Sequence, residues 1–393
     1  MDVYLVDYVR TAFSRSRPKE PERDVFNSLR MDEALSMLIR DSLRRTKADP
    51  KDVGDVLTGC AFQAGENWLY GGRHPVLLAG LPVEVPAAGI DRACSSSMMA
   101  MAIGAMEIAT KNSDIVLAGG MEHMTHVPIG DNPFITPNYK LMTMPQYARY
   151  KMSIGYNMGL TAERLAEESG ITKDSMDEFS LNSHLRASKA QASGWLRKEI
   201  LPMEVEYNGQ KTVIDTDQSV RGDTTLDQIR ALPAAFKPGG VITVGNSSPL
   251  NAGASLTMLA SEEAVHKYGL KPLAKIRSVS WVGVEPEVMG KGPVPASKKA
   301  LEKAGLKIDD VDYWEINEAF AVVVLYAIRE LGLQPDRVNV HGGGISIGHP
   351  LGATGARIVG TLARTLQAEK KKIGVATLCV GGGQGFAIVV ERV

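Results

Sequence analysis

The sequence predicts an α/β protein built from two similar halves with a long insertion between them, and three observations carry that expectation. The segments KDVGDV (51–56) and DDVDYW (309–314) each close a helix and open a strand, and they align at an offset of 258 residues. Matching units at a fixed offset are the mark of an internal repeat. Both outer thirds alternate β-like apolar runs with helical stretches, the order that builds layered α/β folds. The middle, from about 121 to 250, is dominated instead by Pro, Met, Asn and polar residues. It contains helical pieces, Thr161–Ser169 and Lys173–Gly194, but no repeated strand pattern. The chain thus divides into a first half, 1–120, an inserted region covering one face together with the remainder of that half, 121–250, and a second half, 251–393.

The elements follow in order. Val3–Val9 reads as a first strand rather than a signal peptide, because an acid at position 2 and charges within the apolar run break the required pattern. Met31–Arg45 is helical, and the turn-like ADPKDVGDVLTGC holds the strand Val56–Thr58. AAGIDRACSSSMMAMAIGAMEIATK passes from a strand into a long helix of small residues and Met, and DIVLAGG (114–120) has the unbroken apolar character of a buried strand. In the last third, Leu273–Val284 is β-like, PASKKALEKAG (295–305) is helical and LKIDDVDYWEINEAF carries its own strand. RVNVHGGGISIGHPLGATGARIVGTLARTL is a second glycine-marked junction into a helix, and IGVATLCVGGGQGFAIVVE is a pair of strands joined by a glycine turn.

Composition narrows the function. The 393 residues are 44% hydrophobic and 23% charged, which excludes a disordered, collagen-like or coiled-coil chain. Forty-four basic against 45 acidic residues is too balanced for a chain that binds nucleic acid or an anionic membrane by charge, so a polyanionic partner must be small and locally bound. The longest clean apolar run, Ala319–Ile328, is far short of the roughly 18 residues of a membrane span. Cys60, Cys94 and Cys379 have no close pair, which argues against a disulfide framework and a CxxC zinc site and fits a reducing cytoplasm.

Cys94 stands between a strand and a helix start, where backbone N–H groups and the positive helix end favour a thiolate; otherwise it is a small buried apolar residue. The serines Ser95–Ser97 after it suit an accessible pocket better than a core. Cys379 sits in LCVGGGQG, a loop that either presents N–H donors to an oxyanion or simply makes a tight hairpin. His349, in GGGISIGHPLGATGAR, is flanked by glycines and fixed by Pro350; a histidine bonding a backbone carbonyl would look the same. His123 and His126 lack further ligands to complete a metal set, so no metal is expected. HGGGISIG and GHPLGATG lack the spacing of phosphate-cradling loops. Lys370–Lys372 and Arg44–Arg45 read as solvated helix ends, and Cys60 as packing.

Taken together, these segments resemble the thiolase family along essentially the whole chain. The motifs are IDRACSSSMMA around Cys94, GGMEHM (119–124), GNSSPLNAGA (245–254), VMGKGPVPAS (288–297), NEAF (317–320), GHPLGATGAR (348–357) and CVGGGQG (379–385), in the family's order and spacing. The resemblance implies a five-layer αβαβα core made of the two halves, with a loop domain inserted in the first. It implies an acyltransferase that cleaves a 3-oxoacyl-CoA with coenzyme A into acetyl-CoA and a shortened acyl-CoA, reversibly, as in fatty acid β-oxidation. By resemblance Cys94 is acylated, His349 activates it, and Cys379 is the general acid and base. Asn317 holds a water that forms one oxyanion hole with His349, and the N–H groups of Cys94 and Gly381 form the other. Arg221 lies near the adenine nucleotide of CoA and Ser248 near its pantetheine arm. No tightly bound cofactor is implied; acyl-CoA and CoA are the partners, with a homodimer or homotetramer and, in some relatives, a companion subunit.

Three positions depart from the common pattern: Ser97 stands where glycine is frequent, Ala252 where aspartate is usual, and Asn157 where acetoacetyl-CoA thiolases carry histidine. The last, with the Met-rich stretch Leu141–Met158, favours a medium, long or unusual acyl group, branched or aromatic included, over a dedicated acetoacetyl-CoA enzyme. A decarboxylating condensing enzyme and a non-catalytic CoA-binding scaffold are the competing readings.

Overall fold

Two sheets of the same design meet along one seam in the computed structural model, which describes residues 2–130, 132, 133 and 135–393. The first-half strands are β1 (Tyr4–Arg10), the short β2 (Ser14–Arg15), β3 (Val53–Gly59), β4 (Ala87–Ile90) and β5 (Ile115–His123). The insertion contributes a separate hairpin, β6 (Met203–Tyr207) and β7 (Gln210–Ile214), after which β8 (Asn251–Ala260) returns to the first sheet. The second half holds β9 (Ala274–Gly283), β10 (Tyr313–Ile316), β11 (Ile373–Val380) and β12 (Gln384–Glu391).

The order β3-β5-β8-β1 in the first half is matched by β10-β11-β12-β9 in the second. The pairings match too: β3·β5 and β10·β11 are parallel, and the other pairs in both series are antiparallel. The repeat inferred from KDVGDV and DDVDYW is therefore present at the level of strand pairing. The halves join where β1 meets β9, with Tyr4 opposite Lys275 and Leu5 opposite Ala274.

Helices complete five layers. Met31–Thr46 covers the outer face of the first sheet with Leu35, Leu38 and Ile39, and Pro293–Ala304 and Ala321–Leu331 cover the outer face of the second with Ala300, Leu301 and Val324. Between the sheets lie Ser96–Ala109 and Leu351–Ala368, sharing one core in which Met98, Met101, Ile358 and Leu362 contact both. These two helices approach so closely that a Cβ on Gly355 would lie 2.5 Å from the Met98 nitrogen. Ser97 seals the crossing, its hydroxyl accepting a hydrogen bond from Ala356 N at 2.9 Å. That contact gives a role to a serine that departs from the family pattern.

Two features differ from the sequence reading. β8 pairs with β1 and β5, so it belongs to the first half, and the boundary drawn at 251 falls one strand early. Its sequence, NAGASLTMLA, is buried throughout but opens on small residues that hide its strand character. The β6–β7 hairpin was also missed, although its turn is Asn208-Gly209 with both residues at positive φ, the conformation that a two-residue hairpin demands. No helix among the described residues is long and apolar enough to cross a membrane.

Candidate active site

Cys94 is placed by a strained corner. After β4 the carboxylate of Asp91 accepts a hydrogen bond from Ala93 N at 2.8 Å, and Ala93 takes the left-handed φ of 44° that non-glycine residues avoid at a cost of about 1 kcal/mol. The corner presents Cys94 at the entry to the helix Ser96–Ala109, with the Ser95 hydroxyl donating to Arg92 O and that of Ser96 to Ala93 O. Ser95, Ser96 and Ser97 are all buried, so the serine run builds this corner rather than lining an open pocket.

His349 comes from the second half. Its backbone N–H donates to Asn251 Oδ1 at 2.8 Å, and the preceding Gly348 has φ 124° with its open side pressed on the Asn251 amide, a place where any side chain would clash. The ring's tautomer follows from Thr354. That hydroxyl gives its proton to Pro350 O at 2.8 Å, so at 2.6 Å from His349 Nδ1 it must accept, which puts the imidazole proton on Nδ1. Nε2 is left with its lone pair, 3.3 Å from Asn317 Nδ2. Asn317 Oδ1 is buried and has no hydrogen-bond partner among the described residues. Cys379 lies near the end of β11 opposite Gly385, and the backbone N–H of Gly381, in the turn beyond, reaches the Cys94 sulfur.

Cys94, His349 and Cys379 line one cavity of about 390 Å³ with Ser248 and Asn157, closed by Met124, Met158, Met289, Phe236 and Phe320. Arg221 lies outside it, in an adjoining chamber of about 430 Å³ that shares Ser247 and Pro249 with the first. Asn157 also caps the helix Met158–Ser169, accepting from Leu160 N at 3.2 Å. Ala252 is fully buried in the core of the first half, where an aspartate would need a partner.

Burial decides the charge states. It pushes the Cys94 thiol up to about 11; hydrogen bonds from Gly381 N–H and its own N–H pull the other way, and the charge of Glu122 adds to the rise. Burial, then the nearby Cys94, raises Cys379 further. His349 falls to about 3, by burial first and then by the Arg357 cation. The thiolate expected at the helix start is thus overturned for the resting site, because desolvation outweighs the helix end. At neutral pH the site holds a thiol and a neutral imidazole, and the proton must leave Cys94 as it reacts. Since thiolate rises tenfold per pH unit below the pKa, alkylation of Cys94 by iodoacetamide should climb about tenfold per unit from about pH 7 to 10. Peptide mapping checks this, and a plateau below about pH 8 would show a resting ion pair instead.

Some functional positions were not legible. Asn251 and Thr354 orient His349; both lie in quoted motifs, GNSSPLNAGA and GHPLGATGAR, but nothing in the neighbouring residues marks either as a partner of the histidine. Glu122, in the GGMEHM segment, gathers five donors: the N–H groups of Ala61, Phe62 and Gly352, the Asn67 amide and the Cys60 thiol. It ties β5 and the loop after β3 to the helix behind His349, and burial lifts its carboxyl to about 7. Cys60 is fully buried against it, as packing. His123 and His126 meet Glu66 with ligand atoms within 4.8 Å of one another. Their rings stack at 3.8 Å and 7°, which aims the nitrogen lone pairs along parallel planes rather than at one point. His126 bonds Glu66 and Asn27, and His123 Nε2 meets Phe26 O.

Residues 3–263 match the thiolase N-terminal domain and residues 270–392 the thiolase C-terminal domain. The chain is 42% identical to a 3-ketoacyl-CoA thiolase of Marinobacter nauticus over 399 residues, covering all of this chain and 98% of that one. Among solved structures, human mitochondrial 3-ketoacyl-CoA thiolase superposes with a TM-score of 0.88 at 34% identity, over 100% and 98% of the two chains. Its complex with CoA scores 0.87 at 33% identity, again over 100% and 98%. The acetyl-CoA acetyltransferase of Bacillus anthracis also scores 0.87 at 33% identity, over 100% and 99%. Two family domains in tandem, full-length likeness and a cysteine–histidine–cysteine cavity at the junction of two matching halves lead to one conclusion: the chain belongs to the thiolase family and is an acyltransferase.

Proposed function

We propose that this thiolase cleaves 3-oxoacyl-CoA with coenzyme A through an acyl-Cys94 intermediate, and that its preferred acyl chains are longer than acetoacetyl. The observation that carries the reading is the meeting of Cys94, His349 and Cys379 in one apolar cavity, with Asn317 on the His349 ring. As the Cys94 sulfur bonds to the 3-keto carbon, its proton passes to His349 Nε2, the basic nitrogen in the tautomer fixed by Thr354. The oxyanion formed there is held by the N–H groups of Cys94 and Gly381. Its collapse breaks the bond between C2 and C3 and leaves an acetyl-CoA enolate.

That enolate is the costly species. His349, now carrying a proton on Nε2, faces the enolate oxygen together with a water held by Asn317, and each such donor lowers the barrier by about 3 kcal/mol. Cys379 protonates the carbanion carbon, and its thiolate then takes the proton of the incoming CoA thiol; the CoA sulfur attacks the acyl group, and His349 returns its Nε2 proton to the departing Cys94 sulfur. Acyl transfer between thiols is close to isoenergetic, so the intermediate neither traps the enzyme nor needs driving.

The cavity walls support the longer chains: three methionines and two phenylalanines surround the sulfurs, and unbranched thioethers repack around differing shapes. The likeness to an acetyl-CoA acetyltransferase favours a second, biosynthetic reading, against which Asn157 and this apolar lining stand. Arg221 in the adjoining chamber and Ser248 at the cavity wall are assigned to the nucleotide and pantetheine ends of CoA. We assign a cytoplasmic, homo-oligomeric state, supported by three unpaired cysteines and by exposed Trp68, Tyr70 and Val83 near β4, which among the described residues pairs with a strand on one edge only.

Incubation with CoA and 3-oxoacyl-CoA chains of increasing length should release acetyl-CoA, with kcat/KM highest above the shortest chain. Cys379→Ser should lower thiolysis by about 10²–10⁴-fold. Full activity in that variant would point to the decarboxylating condensing chemistry, and no acetyl-CoA from any chain would remove the reading.

A further inference from the structure

The catalytic cavity borders a second chamber besides the one that holds Arg221. This one, of about 520 Å³, shares Ile129 and Leu250 with the cavity, whereas the Arg221 chamber shares Ser247 and Pro249. Pro18 and Pro128 add to its apolar lining, and Arg17 and Lys19 line it without reaching the catalytic cavity. Neither cation has a hydrogen bond or an ion pair through its side chain among the described residues. Glu20 lines the same chamber, but both of its carboxylate oxygens are taken by Arg23 Nη1, at 2.8 and 2.7 Å. An apolar neck beside the reacting sulfur thus leads to two cations that no acid of the described residues answers.

The loop that carries them is tied down on both sides of the neck. Ser16 N donates to Leu250 O at 2.8 Å, and Arg17 N donates to Thr125 Oγ1 at 2.8 Å. The Thr125 hydroxyl donates in turn to the buried Asp24, which also takes the Phe26 N–H at 3.0 Å and the Ser16 hydroxyl at 3.4 Å. Thr125 follows Met124, part of the catalytic cavity wall, so one network sets the cations against the chamber and the site together. Pro18 fixes the backbone between Arg17, which is half-buried, and the exposed Lys19.

The reaction divides its substrate at C3. With that carbon at the Cys94 sulfur, C2 and the CoA thioester lie to one side and C4 onward to the other. The assignment of CoA to the Arg221 chamber leaves the chamber at Ile129 and Leu250 for the far end of the acyl chain. Resting on the reading that this thiolase cleaves 3-oxoacyl-CoA at Cys94, we infer that its substrate class is ω-carboxylated 3-oxoacyl-CoA, the thioester of a dicarboxylic acid. The methylenes run along Ile129 and Leu250, and the terminal carboxylate rests on Arg17 and Lys19. Thiolysis then yields acetyl-CoA and the CoA thioester of a shorter dicarboxylic acid. A guanidinium fork and an ammonium bind a carboxylate through charge-assisted hydrogen bonds, and a terminal methyl gains nothing from them.

Thiolysis of 3-oxoacyl-CoA pairs of equal chain length, one ending in a carboxylate and the other in a methyl, tests this. The unaltered enzyme should favour the carboxylate end by about tenfold or more in kcat/KM, mostly through KM, and added salt should shrink that preference. Arg17→Ala should bring the two ends within about threefold by lowering kcat/KM for the carboxylate end; Lys19→Ala should lower it less, and Arg17→Lys should keep part of the preference. Three results overturn the inference: equal kcat/KM for the two ends at every length, a preference that survives the combined Arg17→Ala and Lys19→Ala change, or an equal loss for both ends on Arg17→Ala, which would assign the arginine to CoA. Cleavage of methyl-ended chains without a preference sinks this inference alone, and no cleavage of either end sinks the thiolysis reading as well.

Discussion

Cys94→Ala is expected to stop thiolysis, lowering kcat by at least about 10⁴-fold, because the proposed mechanism carries the acyl group on the Cys94 sulfur and gives Cys379, the other thiol in the cavity, to proton transfer. In that proposal His349 and Cys379 act on protons, and neither takes over once the sulfur that accepts the acyl group is gone. The unaltered protein mixed with an acyl-CoA should gain one acyl mass on the Cys94 peptide, and the variant none. The substitution removes one small buried side chain, so the fold should persist. A folded Cys94→Ala enzyme that still released acetyl-CoA, or an acyl adduct found elsewhere, would refute the mechanism. No adduct on the unaltered protein would favour a CoA-binding scaffold instead.

The second large effect lies away from the chemistry. Arg10 is fully buried and bonds Glu199 at 2.9 Å as well as Asp217, with both carboxylates equally buried. Arg10→Ala would leave buried Asp217 without its cation and Glu199 with only Arg364 at 3.5 Å and the Thr361 hydroxyl, a loss of about 3–5 kcal/mol. Urea unfolding should record it as a lower midpoint with little change in slope. Arg10→Met, which fills the volume but leaves Asp217 unpaired, should not rescue it; a midpoint within error of the unaltered protein would mean the network is not holding the first half to the insertion.

Much of this was legible in the sequence because it is local. A cysteine after a strand, a histidine between a glycine and a proline, and a glycine turn between two apolar runs are readable from neighbours alone, and the 258-residue offset exposed the duplication. Contacts that span the chain were not. Asn251 meets His349 across 98 residues, and Glu122 reaches Gly352 across 230. The protonation state failed for a related reason: the helix start that argues for a thiolate is visible in the sequence, whereas the depth of burial that defeats it belongs to the packed molecule. β8 was misplaced because small residues serve a strand as well as a turn when a second helix layer presses on it.

The close crossing of the two central helices has a further effect. Each half sends the opening turn of its own helix toward the reacting atoms, one beside Cys94 and the other beside His349. Negative charge that appears during turnover therefore sits between two converging peptide dipoles. On the proposed mechanism the charge is met by buried dipoles rather than by a screened surface pair, so the chemical step should be largely insensitive to ionic strength.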